Sequence, residues 1–463
     1  MERYARDIEN GNYSPTFFTI RIPNEENYEN LLANEKMSEQ AEAYFLHEYI
    51  HFLQDLTTIP GLSNIGIVVD YMKWATHQGK DGKLMVPAIP TQQDGFHLWD
   101  NQEMNESRLG QGALKDIVVK KVKSLVLNDK IVSANGDRHT HLNARVTFED
   151  TKDIESSYLI GEFAISESMA YTIEQIIYPN VLPKGYDCPY SIVRLVCDKF
   201  LPGLSDDPVK IIALCDACLL FSFPGRVFAM AVDMLKTVDY MKQSAEQVFE
   251  RVTQNPEILA AEHNKLQKVS INDHLEQYSV LAAEQLSGYF TTCNYDTEKM
   301  YSVLMLNMAI EIRKQHPYFF LDIARGGVLR DNNILKRILG EIGCPVILNK
   351  TEALTTIYGR ISVLAAQSKG KSYDPSCFWV FNQMYKMFKH GCQENDTFKC
   401  EMIDWCKKSF AEKKVKDLTA EGDNCLYSPW LRMSDEEFQF CTFGRFWRTI
   451  KLSGISPVNK KKT

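Results

Sequence analysis

The segment Ala43-Tyr44-Phe45-Leu46-His47-Glu48-Tyr49-Ile50-His51-Phe52-Leu53-Gln54-Asp55 constrains this chain more than any other. Ser38 is placed to cap a helix running from about Glu39 to Leu56, and Thr57, Thr58, Pro60 and Gly61 end it. Apolar residues flank the histidines on nearly every side, which is how a buried helix reads. Two imidazoles and a carboxylate are costly to bury without partners, and a bound cation supplies one. Residues four apart share a helix face, so His47 and His51 can offer two nitrogens to one tetrahedral ion. Glu48 lies beside them, angled away from ligation and placed to take a proton from a water on the metal. The metal this spacing points to is zinc. The competing reading is a pair of core histidines satisfied by hydrogen bonds.

A catalytic zinc site needs a third protein ligand. Position 57 is Thr57, so the third His of the metzincin pattern is missing. His77 lies outside any recognisable extension, and the first Cys is Cys188. The best candidate falls on a second helix, expected from about Ser157 to Tyr178 and stopped before Pro179. At helical spacing Ile160, Phe163, Ala164, Glu167, Ala170, Tyr171, Glu174 and Ile177 share one face, apolar except for two carboxylates a heptad apart. Solvated glutamates belong on a polar face instead. Glu167 as metal ligand and Glu174 as acceptor for a ligand His would account for both. Glu162 and Glu174 are the alternative ligands, and two ordinary surface glutamates are the competing reading.

The two segments together resemble the gluzincin group of metallopeptidases, in which a His-Glu-x-x-His helix is followed by a helix bearing a Glu ligand. In several of its families that Glu begins a Glu-x-x-Ala pattern, as Glu167-Ser168-Met169-Ala170 does here. The resemblance implies that His47, His51 and Glu167 bind Zn2+ and that Glu48 is the general base. It covers about two dozen residues. The 116 positions from His51 to Glu167 make a long gap for the group, and Tyr171 stands where many members carry Asp.

The chemistry implied is metal-assisted hydrolysis of a peptide bond, with Glu48 passing the water's proton to the leaving amine. An oxyanion donor is needed as well. Tyr171, His139, His141 and Arg145 are candidates, and the sequence leaves the choice open. Asp55, one turn after His51, either orients that imidazole or faces solvent near the helix end. Zincins pair an edge strand with extended substrate, and Asn143 to Glu149, which alternates apolar and polar, is the candidate strand.

The fold expected is α+β and mainly helical: a zincin-like N-terminal part with a small sheet, over residues 1–185, and a helical part over 186–463 of substrate-binding or regulatory role. Phe17 to Ile22 reads as a strand. Ile65 to Val69 and Lys83 to Val86 read as strands or short helices, and Leu114 to Leu127 is apolar at both periods. Helices are expected at Pro208 to Phe221, Arg226 to Met241, Ala245 to Thr253, Asn272 to Ser287, Thr297 to His316, Asn332 to Ile342 and Cys377 to His390.

A net charge of −8 argues against general nucleic-acid binding. The basic run Lys460-Lys461-Lys462 reads as a solvated tail. No apolar stretch approaches the ~20 residues that span a bilayer, and the first residues lack a secretory pattern. Twelve Cys without a small-domain disulfide framework fit reduced thiols in a cytoplasm. Cys215 and Cys218 read as core residues in a helical run. Cys377, Cys392, Cys400, Cys406, Cys425 and Cys441 lack finger spacing, which argues against a second, structural zinc. His139 and His141 read as a surface pair. Gly370-Lys371-Ser372 ends like a phosphate loop, but Ala365 replaces the Gly such a loop needs.

The expectation is therefore a cytoplasmic zinc metallopeptidase acting on a protein or peptide, with no nucleic-acid or membrane partner. Its alternatives are a zinc hydrolase of a non-peptide amide and a non-catalytic interaction protein stabilised by zinc.

Overall fold

The structure is a computed structural model. It describes residues 11–31, 37–91, 94, 96–130, 132–134, 137–140, 142–262, 270–292, 295–370, 373–392, 398–406, 426–431 and 442–460. The first half contains β1 (Asn12–Ser14), β2 (Thr19–Arg21), α1 (Glu39–Thr57), α2 (Ile59–Thr76), β3 (Lys83–Val86), α3 (Phe96–Leu109), β4 (Val119–Leu127), β5 (Val132–Ala134), β6 (Asp137–His139), β7 (Ala144–Asp150), β8 (Glu155–Ile160) and α4 (Glu162–Ile177). The second half is helical apart from its last sheet strands. It runs through α5 (Ile192–Phe200), α6 (Pro208–Leu219), α7 (Pro224–Leu235), α8 (Ala245–Thr253), α9 (Pro256–Glu262), α10 (Ile271–Thr292), α11 (Asp296–Gln315), α12 (Phe319–Arg325) and α13 (Asn333–Ile342). β9 (Gly343–Leu348), β10 (Leu354–Tyr358), α14 (Arg360–Lys369), α15 (Ser376–His390), α16 (Thr442–Thr449) and β11 (Ser456–Asn459) follow. The chain is thus α+β and mainly helical, with small sheets.

α1 begins where Ser38 caps it, its hydroxyl accepting from the Ala41 N–H at 3.2 Å. Thr58 then both ends α1 and caps α2, accepting from the Gly61 N–H at 3.2 Å. The expected break at Thr57 to Gly61 is therefore a corner between two helices, and Ile65 to Val69 lie within α2. Gly61 lets the corner close, because a Cβ there would stand 2.4 Å from the Asp55 carbonyl oxygen.

β1, β2, β9 and β10 form one sheet in that order, with β2 and β9 parallel and the other pairs antiparallel. β3 and β11 pair in parallel. The expected division near residue 185 is crossed by both sheets, and a single buried apolar cluster includes side chains from both ends of the chain.

Two strand expectations change. The helix expected from Ser157 is shorter, because residues 155–160 pair with β7 as strand β8 and α4 starts only at Glu162. Tyr158 and Ile160 are two positions apart, the period of a strand face, and both pair with β7. Asn143 to Glu149 does contain a strand, β7, but it is the central one of β4-β7-β8. Both of its edges are hydrogen-bonded within the sheet, so it has none to offer a substrate. Among the described residues no helix is long and apolar enough to cross a membrane.

Candidate metal centre

α1 and α4 pack against each other and carry the site between them. Ala164 and Ala170 on α4 are wholly buried and keep the helix surface low. Glu167 and Glu174, on the same α4 face, are turned inward, at 4% and 3% exposure. Opposite them, α1 presents His47, Glu48 and His51.

Three donor atoms meet at this junction. Nε2 of His47 and Nε2 of His51 are 3.3 Å apart, and Oε2 of Glu167 lies 3.5 Å from the first and 3.4 Å from the second. Ligand atoms about 2.0–2.1 Å from a tetrahedral zinc are separated by roughly 3.3–3.4 Å. The nearly equilateral triangle therefore has the edges that a tetrahedral ion requires. A donor set of two imidazoles and one carboxylate suits a divalent transition metal such as zinc or ferrous iron.

Both imidazoles are held from behind. Nδ1 of His47 is 2.9 Å from Glu174 Oε2, so the ring donates there and turns Nε2 to the triangle. Nδ1 of His51 is 2.7 Å from Oε1 of Gln54. The Gln54 amide nitrogen in turn donates to the Ser166 carbonyl of α4 at 3.1 Å. Burial opposes a charge on His47, but hydrogen bonds to Glu167 and Glu174 and the nearby Glu48 outweigh it and push its pKa up to about 10. So many carboxyl groups around two rings create a demand for positive charge, met by a proton or by a metal ion.

Glu48, 1% exposed, lies at the edge of a cleft with about 720 Å³ of empty space, its open mouth included. His51 and Glu167 also line this cleft. The cleft is also lined by Asn12, Tyr13 and Pro15 around β1, by Asn64 on α2, and by the apolar Leu109, Phe163 and Leu219. β1 is the outermost strand of its sheet among the described residues. It starts from Gly11 at φ +78°, where a Cβ would lie 3.2 Å from Glu48 Oε1. The edge strand beside the motif helix is therefore β1, in place of the expected 143–149 segment.

Other expected residues lie outside the donor triangle, Asp55 and Glu162 among them, although these two line the cleft. Asp55 does not orient His51, nor does it face solvent. It is buried and accepts at Oδ2 from the Tyr13 hydroxyl at 2.8 Å and the Thr16 N–H at 2.7 Å, tying the β1–β2 turn to α1. Glu162 is outside the triangle and pairs with Arg108 at 3.0 Å. Arg145 is exposed and donates to Asn128 at 2.9 Å, away from the cleft lining. Tyr171 is also absent from the cleft lining. Its ring packs on Tyr190, centroids 5.5 Å apart, and Tyr190 stands edge-on to His47 at 6.2 Å. His139 falls on β6, while His141, Lys371, Ser372, Cys425, Cys441, Lys461 and Lys462 lie outside the described residues. Cys215 and Cys218 are buried on α6, and burial pushes both thiols well above their ordinary pKa. His47, His51 and Glu167 are the one group among the described residues arranged to hold a metal ion.

Gln54 and Tyr190 were not anticipated. Gln54 had a signal, since it follows His51 by three positions on the same helix face. Tyr190 reaches His47 through tertiary packing and had none.

Fold and site thus define an α+β chain with a two-histidine, one-carboxylate donor group at the edge of a cleft. No family model, no curated protein and no solved structure matches it.

Proposed function

We propose that this chain is a zinc-dependent metallopeptidase, with a zincin-like N-terminal part and a gluzincin ligand set. The observation that carries the reading is the 3.3–3.5 Å donor triangle of His47, His51 and Glu167, which would hold the ion. Zinc bound there supplies a Lewis acid and makes a water acidic enough to lose a proton near neutral pH.

The protein's own residues do the rest. Glu174 and Gln54 engage Nδ1 of the two rings, which leaves Nε2 of each to face the triangle. Glu48, at the cleft edge beside His51, takes the proton of the attacking water and delivers it to the leaving amine. β1 offers its outer edge to an extended chain along the same cleft, and this supports a peptide substrate over other amides. A reducing, cytoplasmic setting is supported by Cys188, Cys197, Cys215, Cys218 and Cys344, which are buried as free thiols.

Glu48→Gln tests the reading. It should leave zinc content unchanged and lower hydrolysis of a mixed-peptide substrate by about 10²–10⁴-fold. Zinc retained with undiminished turnover would remove Glu48 from the chemistry. Zinc retained by a protein that hydrolyses no peptide, with His47→Ala unfolding it, would give the metal a structural role.

A further inference from the structure

The Gln54 side chain bridges the two helices that carry the donor triangle. It is 5% exposed, and both ends of its amide are engaged. One end meets the main-chain carbonyl of Ser166, which can only accept a hydrogen bond, so the amide nitrogen must point there. The amide oxygen then necessarily faces His51. That oxygen also can only accept, so the proton of a neutral His51 ring must sit on Nδ1. The lone pair is left on Nε2, the atom that faces His47 and Glu167. A reversed amide would set its own oxygen against the Ser166 carbonyl, two acceptors facing each other with no proton between them.

We propose that Gln54 is a positioning residue of the metal centre, extending the motif to His-Glu-x-x-His-x-x-Gln. It does two things. It locks His51 in the tautomer that can bind a metal, and it fastens that ring to α4 at Ser166, the residue directly before Glu167. The second imidazole and the carboxylate donor are thereby held in register, although they come from helices more than a hundred residues apart in the chain. The two rings are held by different chemistry. His47 leans on a carboxylate, Glu174, and His51 on a neutral amide whose orientation the α4 backbone dictates. The proposal rests on the zinc-site reading above for its purpose, and on the hydrogen bonds alone for the tautomer.

The test is ¹⁵N NMR of the metal-free full-length protein labelled at histidine, combined with zinc affinity from chelator competition. Wild-type His51 should carry its proton on Nδ1. Gln54→Met removes the acceptor, and it should shift His51 toward the Nε2–H form and weaken zinc binding by about 10–100-fold. Gln54→Glu keeps an acceptor for His51 and loses the donor to Ser166. It should retain the Nδ1–H form while still binding zinc less tightly than wild type. An Nε2–H ring in the wild type would overturn the proposal, as would a Gln54→Met variant with unchanged tautomer and unchanged affinity. If the wild type binds no zinc at all, the zinc-site reading fails by itself, and the wild-type tautomer still decides whether Gln54 directs His51.

Discussion

The Glu174 carboxylate lies 2.9 Å from Nδ1 of His47, a residue 127 positions earlier in the chain. The contact sets the direction of the first imidazole and links the middle of α1 to the last turn of α4. Removing it should loosen the metal without unfolding the protein. Glu174→Ala is expected to weaken zinc binding by about 10–100-fold, and Glu174→Gln, which keeps an acceptor, by less. Chelator competition measures both, and equal affinities in all three proteins would contradict the role.

The same cluster of carboxyl groups predicts a proton exchange. Burial works against the His47 charge, yet Glu167, Glu174 and Glu48 raise its pKa to about 10. At pH 8 the metal-free ring therefore holds a proton that a metal must displace. Zinc binding at pH 8 should release about one proton, and affinity should rise by up to tenfold per pH unit below about pH 10. Calorimetry in two buffers of different ionisation heat reads this directly. Identical heats in the two buffers would contradict it.

Asp55 gives a stability signature of its own. Burial pushes its carboxyl up to about 7, against the opposing pull of the Thr16 N–H and the Tyr13 hydroxyl. The folded chain then holds the Asp55 proton more tightly than the unfolded chain does. Its contribution is fully present below about pH 4 and is lost as the pH rises through about 7. Asp55→Asn cannot ionise and should flatten the fall in melting temperature across that window. At pH 8 the variant should be the more stable protein. An unchanged pH profile would show that Asp55 does not titrate there.

How far the sequence revealed this site depended on distance along the chain. Four-residue spacing on α1 placed His47 and His51 on one face, and seven-residue spacing on α4 did the same for Glu167 and Glu174, because a helix turns positions into directions. What helical periodicity does not encode is the partner on another element. Asp55 follows His51 by four positions, a spacing that leaves it either supporting that ring or facing solvent, yet its partners are Tyr13 and Thr16, some forty positions earlier. Gln54 has a local signal in its place three positions after His51, but its second contact, Ser166, lies 112 positions away. The 143–149 strand was visible as alternation, but its neighbours on both sides were not, and they decide that β1 is the edge beside the motif. The pairing of β2 with β9 joins segments more than three hundred residues apart, and no local pattern announces it.

Away from the site, Arg313 and Asp216 form a doubly hydrogen-bonded ion pair at 3.0 and 2.9 Å, with side chains 2% and 0% exposed. Arg313→Met leaves a carboxylate buried without its cation and should cost about 3–5 kcal/mol in urea unfolding. Replacing both partners by apolar residues should cost less than the single change. A mild single substitution would mean that water reaches Asp216.

The helix corner that shapes one cleft wall is equally testable. A methyl group at position 61 would meet the Asp55 carbonyl at 2.4 Å, so Gly61→Ala should force α1 and α2 apart and cost about 1–3 kcal/mol. Thermal unfolding measures the loss, and a neutral substitution would show that the corner has slack.

The zinc-edge anomalous map of a crystal grown with one equivalent of zinc tests the central claim most directly. The account predicts a single strong peak bounded by Nε2 of His47, Nε2 of His51 and Oε2 of Glu167, each about 2.0–2.2 Å away. A peak at other residues, or no peak between α1 and α4, would contradict it.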